Sequence, residues 1–292
     1  MDLISVAVER GGVVESRHRV HAVSVRDGDA VEARGDPELI TFMRSAAKPL
    51  QALLVVREYP DLVDEEIAIA SASHGARPEQ LDAVKALLAR AWASEEELEC
   101  GPVDGSRLRH NCSGKHAGML AVCAARGWPR ENYRLRGHPL QEAILAEIGE
   151  IAGLPAGEMP LAVDGCGVVT FALSLRRMAL AFARLARGER EGAERIVAAM
   201  AAHPELVEGP GWAATEVMLA LPGSVAKGGA EGVLCVGLPD GTGMAFKAED
   251  GAARAVLPAA AHVLGISAHA EVAIQNSRGD EVGRLRAEGV HP

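Results

Sequence analysis

The chain has 292 residues, 48% of them apolar and 24% charged, with a formal net charge of −10. That length can bury a substantial core, as one large domain or two packed lobes. An acidic balance without a basic tract argues against nucleic acid, and no apolar run reaches the roughly 18 residues of a membrane span.

Val-rich alternation marks strands at 3–9 and 13–25, separated by Gly11-Gly12, and a further turn at Asp27-Gly28-Asp29 leads into 30–34, so the first segments read as a β-meander. The start, Met1-Asp2-Leu3-Ile4-Ser5, lacks the basic and apolar regions of a signal peptide, which points to a soluble cytoplasmic protein. Helical periodicity covers about 46–57, with Leu50, Leu53 and Leu54 on one side; Pro49 is tolerated because first-turn N–H groups have no helical partners. Where strand gives way to helix stands Arg44-Ser45-Ala46-Ala47-Lys48-Pro49. Residues three apart share a helix face, so Ser45 and Lys48 can meet. A neutral lysine can take a serine's proton, and free N–H groups at a helix start can hold developing negative charge. The plainer reading is a capping serine and a solvated lysine.

Short helices follow at about 65–71 and 78–91, with a helical turn at 95–98. Between the first two lies Ala70-Ser71-Ala72-Ser73-His74-Gly75, where Ser73 is a second nucleophile, a proton shuttle or an ordinary turn serine. A loop from Cys100 leads to Asn111-Cys112-Ser113-Gly114-Lys115-His116, expected to precede a helix over 117–126. Cys112 reads as a metal ligand or as a small buried hydrophobe, and Lys115 and His116 as substrate contacts. Helix 139–152 is followed by a turn at Asp164-Gly165-Cys166-Gly167 and by helices at about 172–187, 190–203 and 211–220. Cys112 and Cys166 could share a Zn²⁺ only with further ligands, so spacing alone makes a weak metal site. Gly223-Ser224-Val225-Ala226-Lys227-Gly228-Gly229 precedes a strand, with Lys227 reaching a cleft or simply solvated. Strands 233–236 and 244–247 form a hairpin on which helix 252–264 packs. The five cysteines are an odd and widely spaced set, which argues against a disulfide framework.

The expected fold class is α/β (α+β): an antiparallel sheet from N- and C-terminal segments, flanked by helices, with a mostly helical middle region. Residues 1–292 read as a single domain with two soft lobes, 1–45 plus 205–292 bearing the sheet and 46–204 mainly helical.

Several ordered motifs together resemble the rhizobial-type (class 3) L-asparaginase family, whose fold is similar to that of serine β-lactamases and glutaminases. They are residues 11–21, Arg44 to Pro49, Ala72-Ser73-His74, Asn111 to Leu120, Val163-Asp164-Gly165-Cys166-Gly167, His203-Pro204-Glu205, Ala226 to Gly232 and Gln275-Asn276-Ser277-Arg278-Gly279. The resemblance implies two Ser–Lys tandems, Ser45 with Lys48 and Ser73 with Lys227. It implies a zinc held by Cys112, Lys115 and Cys166, which orients the substrate pocket rather than making hydroxide. It places Arg44, His116 and Asp164 near the substrate; on charge grounds Arg44 suits an α-carboxylate and Asp164 an α-ammonium or a metal-bound water. A homodimer and hydrolysis of L-asparagine to L-aspartate and ammonia are implied as well, with the choice of nucleophilic serine left open. The loop 100–110 is shorter than the family pattern, and Gly75-Ala76-Arg77 replaces an expected Ser-rich run, which puts substrate range in question. The alternatives are a glutaminase or penicillin-recognising enzyme on the same scaffold, whose Ser-Asp-Asn and Lys-Thr-Gly elements are not evident, or a non-catalytic zinc- or amino-acid-binding protein.

Overall fold

Strands form where β-branched residues run between glycine turns. In the computed structural model, which describes residues 2–288, β1 (Ile4–Arg10) and β2 (Val13–Arg26) are joined by Gly11 and Gly12, both at positive φ. A tight hairpin turn imposes that conformation, and glycine adopts it without steric cost. Met1 and residues 289–292, included in the single-domain reading, lie outside the described residues.

After β3 (Asp29–Arg34) and β4 (Ile40–Phe42), a 3-10 turn over Arg44–Ala47 runs into α1 (Lys48–Glu58). Three helices follow: α2 (Asp64–Ala70), α3 (Pro78–Arg90) and α4 (Ser113–Arg126). α5 (Pro139–Ala152) leads to β5 (Leu161–Val163) and β6 (Val169–Ser174), and then to α6 (Leu175–Ala186), α7 (Ala193–Ala202), α8 (Pro204–Val207) and α9 (Ala213–Ala220). The chain returns to strands in β7 (Val225–Gly229), β8 (Val233–Gly237) and β9 (Gly243–Ala248), followed by α10 (Val256–Leu264), β10 (Glu271–Gln275) and β11 (Glu281–Glu288).

The main sheet has the order β10-β11-β1-β2-β9-β8-β7, with β3 also paired to β2, and every pairing is antiparallel. It joins the first and last segments of the chain around a helical middle, as the sequence implied. A second, three-stranded sheet β4-β6-β5 was not foreseen. Residues expected to begin a helix at 172 instead finish β6, whose six residues are all buried. A buried apolar run fits either structure, and here Ser174 marks the boundary by accepting the Arg177 N–H as the cap of α6. Two further boundaries move. α4 begins at Ser113, so Lys115 and His116 lie on its first turn, and Lys227 lies within strand β7 rather than in a loop before one.

β7 ends the sheet and runs past the 3-10 turn that carries Ser45. A Cβ on Gly229 would lie 2.6 Å from Met43 O, so glycine permits this approach. The junction of sheet edge, turn and helices α1, α2 and α4 is where the reactive side chains gather. Among the described residues no helix is long and apolar enough to cross a membrane.

Candidate active site

Lys48 is the first residue of α1 and is 1% exposed. Its ammonium donates to Ala72 O, to Ser73 Oγ at 2.9 Å and to Asn111 O at 3.4 Å. Burial depresses its pKa to about 8; Lys227 and Lys115 push the same way, while Cys112 and Cys166 oppose them. Main-chain bonds fix the serine: Ser73 N–H donates to Val207 O at 2.7 Å, and His74 N–H to Asn111 O at 3.2 Å.

This pairing differs from the one the resemblance implied. Among the described residues no hydrogen bond joins Ser45 Oγ to Lys48; the two are linked through the main chain, Lys48 N–H to Ser45 O. The buried ammonium of Lys48 needs several acceptors, and the 72–73 segment and Asn111 supply them. Lys227, fully buried, turns to Glu208 instead of Ser73. It also donates to Gly228 O at 2.8 Å, and Gly228 N–H donates to Glu208 Oε1 at 3.0 Å. A carboxylate in contact is the stronger partner for a buried cation. Sequence reasoning does not single out Glu208.

Around the serine, His74 accepts Ala76 N–H at Nδ1 (3.1 Å) and lies 2.8 Å from Ser113 Oγ through Nε2, while Ser113 Oγ donates to Leu108 O at 2.8 Å. The accepting Nδ1 leaves the proton on Nε2, so the ring donates to Ser113. Burial, aided by Lys48, pushes the His74 pKa down to about 4.

Arg44 and Asp164 are paired with each other, Nε to Oδ1 at 2.6 Å, and Gly165 N–H also donates to that oxygen at 2.8 Å. Both are partly solvent-exposed, and Arg44 holds a positive φ of 52°. His116 is fully buried rather than on an open cleft. Its Nδ1 lies 2.6 Å from Tyr133 Oη, and Nε2 has no partner among the described residues. Burial and the charge of Lys115 hold this ring well below the ordinary histidine range.

Cys112, Lys115 and Cys166 converge, all buried, with Lys115 Nζ donating to Cys166 Sγ at 3.0 Å. A hydrogen bond from Cys166 holds the Cys112 thiol well below the ordinary cysteine range, whereas sharing with Cys112 and burial push Cys166 up. Burial would lower Lys115, but the two sulfurs outweigh it and carry it up to about 12. One thiolate, one thiol and one ammonium sum to no net charge. Exchanging the thiol and ammonium protons for one Zn²⁺ leaves that sum unchanged, so the donor set fits the metal. Among the described residues no group of three or more His, Cys, Asp or Glu is placed to hold one.

The Ser73 hydroxyl is partly exposed and lies against the buried Lys48 amine, whose pKa is depressed. The chain belongs to the L-asparaginase II family, whose model matches residues 6–287; asparaginases are amidohydrolases. The comparison with curated proteins gives no match. Among solved structures, Mglu in its native form is similar at 18% identity and a TM-score of 0.49, covering 85% of this chain and 64% of that one. The chain thus spans less than two thirds of the Mglu chain. A putative β-lactamase from Bacteroides dorei DSM 17855 is similar at 15% identity and a TM-score of 0.42, covering 80% and 88%. A penicillin-binding protein homologue from Caulobacter crescentus is similar at 13% and 0.41, covering 78% and 86%.

Proposed function

We propose that this protein hydrolyses L-asparagine to L-aspartate and ammonia through an acyl-enzyme, with Ser73 as nucleophile and Lys48 as its base. The observation that carries the reading is the 2.9 Å contact between Lys48 Nζ and Ser73 Oγ. A neutral amine keeps two N–H bonds and one lone pair. Ala72 O and Asn111 O can take the two donors, which leaves the lone pair for the serine proton.

Ser73 Oγ attacks the side-chain amide carbon as its proton passes to Lys48 Nζ. The tetrahedral adduct collapses, the C–N bond breaks, and the lysine proton goes to the leaving nitrogen, which departs as ammonia. Water then attacks the ester, giving its proton to Lys48; the C–O bond to Ser73 breaks and the serine recovers a proton. Arg44 and Asp164, of opposite charge and side by side, suit the carboxylate and ammonium of an amino-acid zwitterion. Ser45, next to Arg44, takes a substrate-contact role. A zinc held by Cys112, Lys115 and Cys166 would supply a Lewis-acidic anchor that orients the substrate. The resemblance also carries a homodimer, which light scattering checks.

Ammonia release from L-asparagine and L-glutamine and the colour change of a chromogenic cephalosporin, measured alongside Ser73→Ala and Ser45→Ala, test the reading. Release from asparagine, lost by about 10³-fold or more in Ser73→Ala, is expected. Faster turnover of glutamine or the cephalosporin would replace the substrate, and an active Ser73→Ala would remove the nucleophile.

A further inference from the structure

We propose that Glu208 is a positioning residue for this reaction: its carboxylate holds Lys227 as a buried ammonium on the sheet edge, so that Lys227 is a fixed positive charge and Lys48 alone is the base. The inference rests on the function proposed above.

Lys227 has no exposed surface and Glu208 is 6% exposed, so the two charges meet out of water. Glu208 Oε1 takes both the Lys227 ammonium and the Gly228 N–H, the latter at 3.0 Å. A Cβ on residue 228 would lie 2.8 Å from that oxygen, so glycine after the lysine lets the carboxylate reach the backbone. The segment carrying Glu208 is itself anchored: Gly209 N–H donates to Thr215 Oγ1 at 3.1 Å, and Thr215 donates to Pro204 O at 2.9 Å. The preceding residue, Val207, accepts the Ser73 N–H at 2.7 Å. Two consecutive residues therefore fix the nucleophile's main chain and the second lysine's charge.

An ammonium so paired has no lone pair to offer a serine, which leaves Lys48, whose neighbours are two carbonyls and a hydroxyl. The charged and titratable groups that act on Lys48 are Lys227 from β7, Cys112 and Lys115 from the start of α4, and Cys166 from the turn before β6; His74 faces it across Ser73. Those that face Lys227 are Glu208, the Cys235 thiol of β8 and Lys48 itself. Without its carboxylate, a buried ammonium sheds its proton. In Glu208→Gln the positive charge beside Lys48 is thereby lost, and Lys48 holds its own proton more tightly.

Two readouts test this. The first is the acidic limb of kcat/KM against pH. Glu208→Gln and Lys227→Met should each move it to higher pH by roughly 0.5–1 unit, and the double variant no further than either. A limb that stays in place in the single variants, or shifts that add in the double, overturns the proposal. A merely structural role would lower activity without moving the limb.

The second readout needs no turnover. The chain has only five lysines, Lys48, Lys85, Lys115, Lys227 and Lys247, so ¹³C-lysine side-chain resonances can be followed one by one against pH. The Lys48 resonance should titrate at higher pH in Lys227→Met than in the wild type. A Lys48 titration unmoved in Lys227→Met overturns the proposal. This measurement decides the matter even if Glu208→Gln does not fold. Inactive Lys48→Met and Ser73→Ala with an unmoved Glu208→Gln limb would defeat only the Glu208 role. An active Ser73→Ala would instead defeat the function beneath it.

Discussion

Lys48 Nζ lies 2.9 Å from Ser73 Oγ, twenty-five residues away, while Ser45, three residues away, shares only a main-chain hydrogen bond with it. Tertiary packing, not helical spacing, chooses the lysine's partner. The cost of burying the ammonium brings its pKa within reach of neutral solution.

The first prediction concerns pH. In the proposed mechanism the active form has Lys48 neutral, and its pKa is depressed to about 8. kcat/KM should therefore rise about tenfold per unit as pH approaches that value and level off above it. At pH 6 about 1% of the sites would carry the neutral amine. A rate profile measured from pH 5 to 10 that is flat below pH 8 contradicts this assignment.

Stability should show a second, separate dependence. His74 titrates near 4 in the fold, against an ordinary value of 6.5. Below 6.5 the unfolded chain gains a proton that the folded chain refuses, so His74 contributes stability above 6.5 that is lost as pH falls through 4. The difference amounts to about 3 kcal/mol. Urea unfolding of wild type and His74→Gln at pH 7.5 and 4 checks it: the wild type should lose more stability between the two than the variant does.

Gly229 is where the sheet edge passes the turn of Ser45 and Arg44. An added Cβ would stand 2.6 Å from Met43 O and 3.3 Å from Ala46 N, both main-chain atoms that cannot rotate away. Gly229→Ala should therefore displace the turn and lower kcat/KM by roughly 10–100-fold, with far-UV circular dichroism unchanged. Wild-type kinetics in this variant would mean that the turn's position does not matter to the chemistry.

For the proposed zinc, charge gives a number to measure. Binding that displaces the Cys166 thiol proton and the Lys115 ammonium proton should release about two protons per metal at neutral pH. Calorimetry in buffers of different ionisation enthalpy reads that release directly. Cys112→Ser and Cys166→Ser should each abolish tight binding. Release of no protons, or tight binding by either variant, would remove this site.

Much of this arrangement was legible beforehand, and what was not has identifiable causes. The β1–β2 hairpin and helix α5 are found within a residue or so, because glycine turns and strong apolar periodicity mark them. The β10–β11 hairpin is missed because its apolar signal is sparse: Val272 and Ile274 in β10 are only half-buried, and Leu285 is the one buried residue of β11. β6 is missed because a wholly buried strand has no alternation at all. Among site residues, Lys48 meets Ser73 rather than Ser45 and Lys227 meets Glu208, because such contacts are set across distant loops, which local spacing does not encode. Glu208 sits between two buried residues and a glycine without any motif of its own. One signal was available: lysine is scarce here, and four of the five are buried. A chain that keeps four of its five lysines in the interior singles them out, and three of the four, Lys48, Lys115 and Lys227, belong to the candidate site.

The most direct measurement is acid-quench trapping of the enzyme during turnover of L-asparagine, followed by peptide mass spectrometry. An aspartyl ester on the peptide containing Ser73, absent in Ser73→Ala and diminished in Lys48→Met, is the predicted result. The same ester on the peptide containing Ser45, with Ser73 unmodified, would contradict the account.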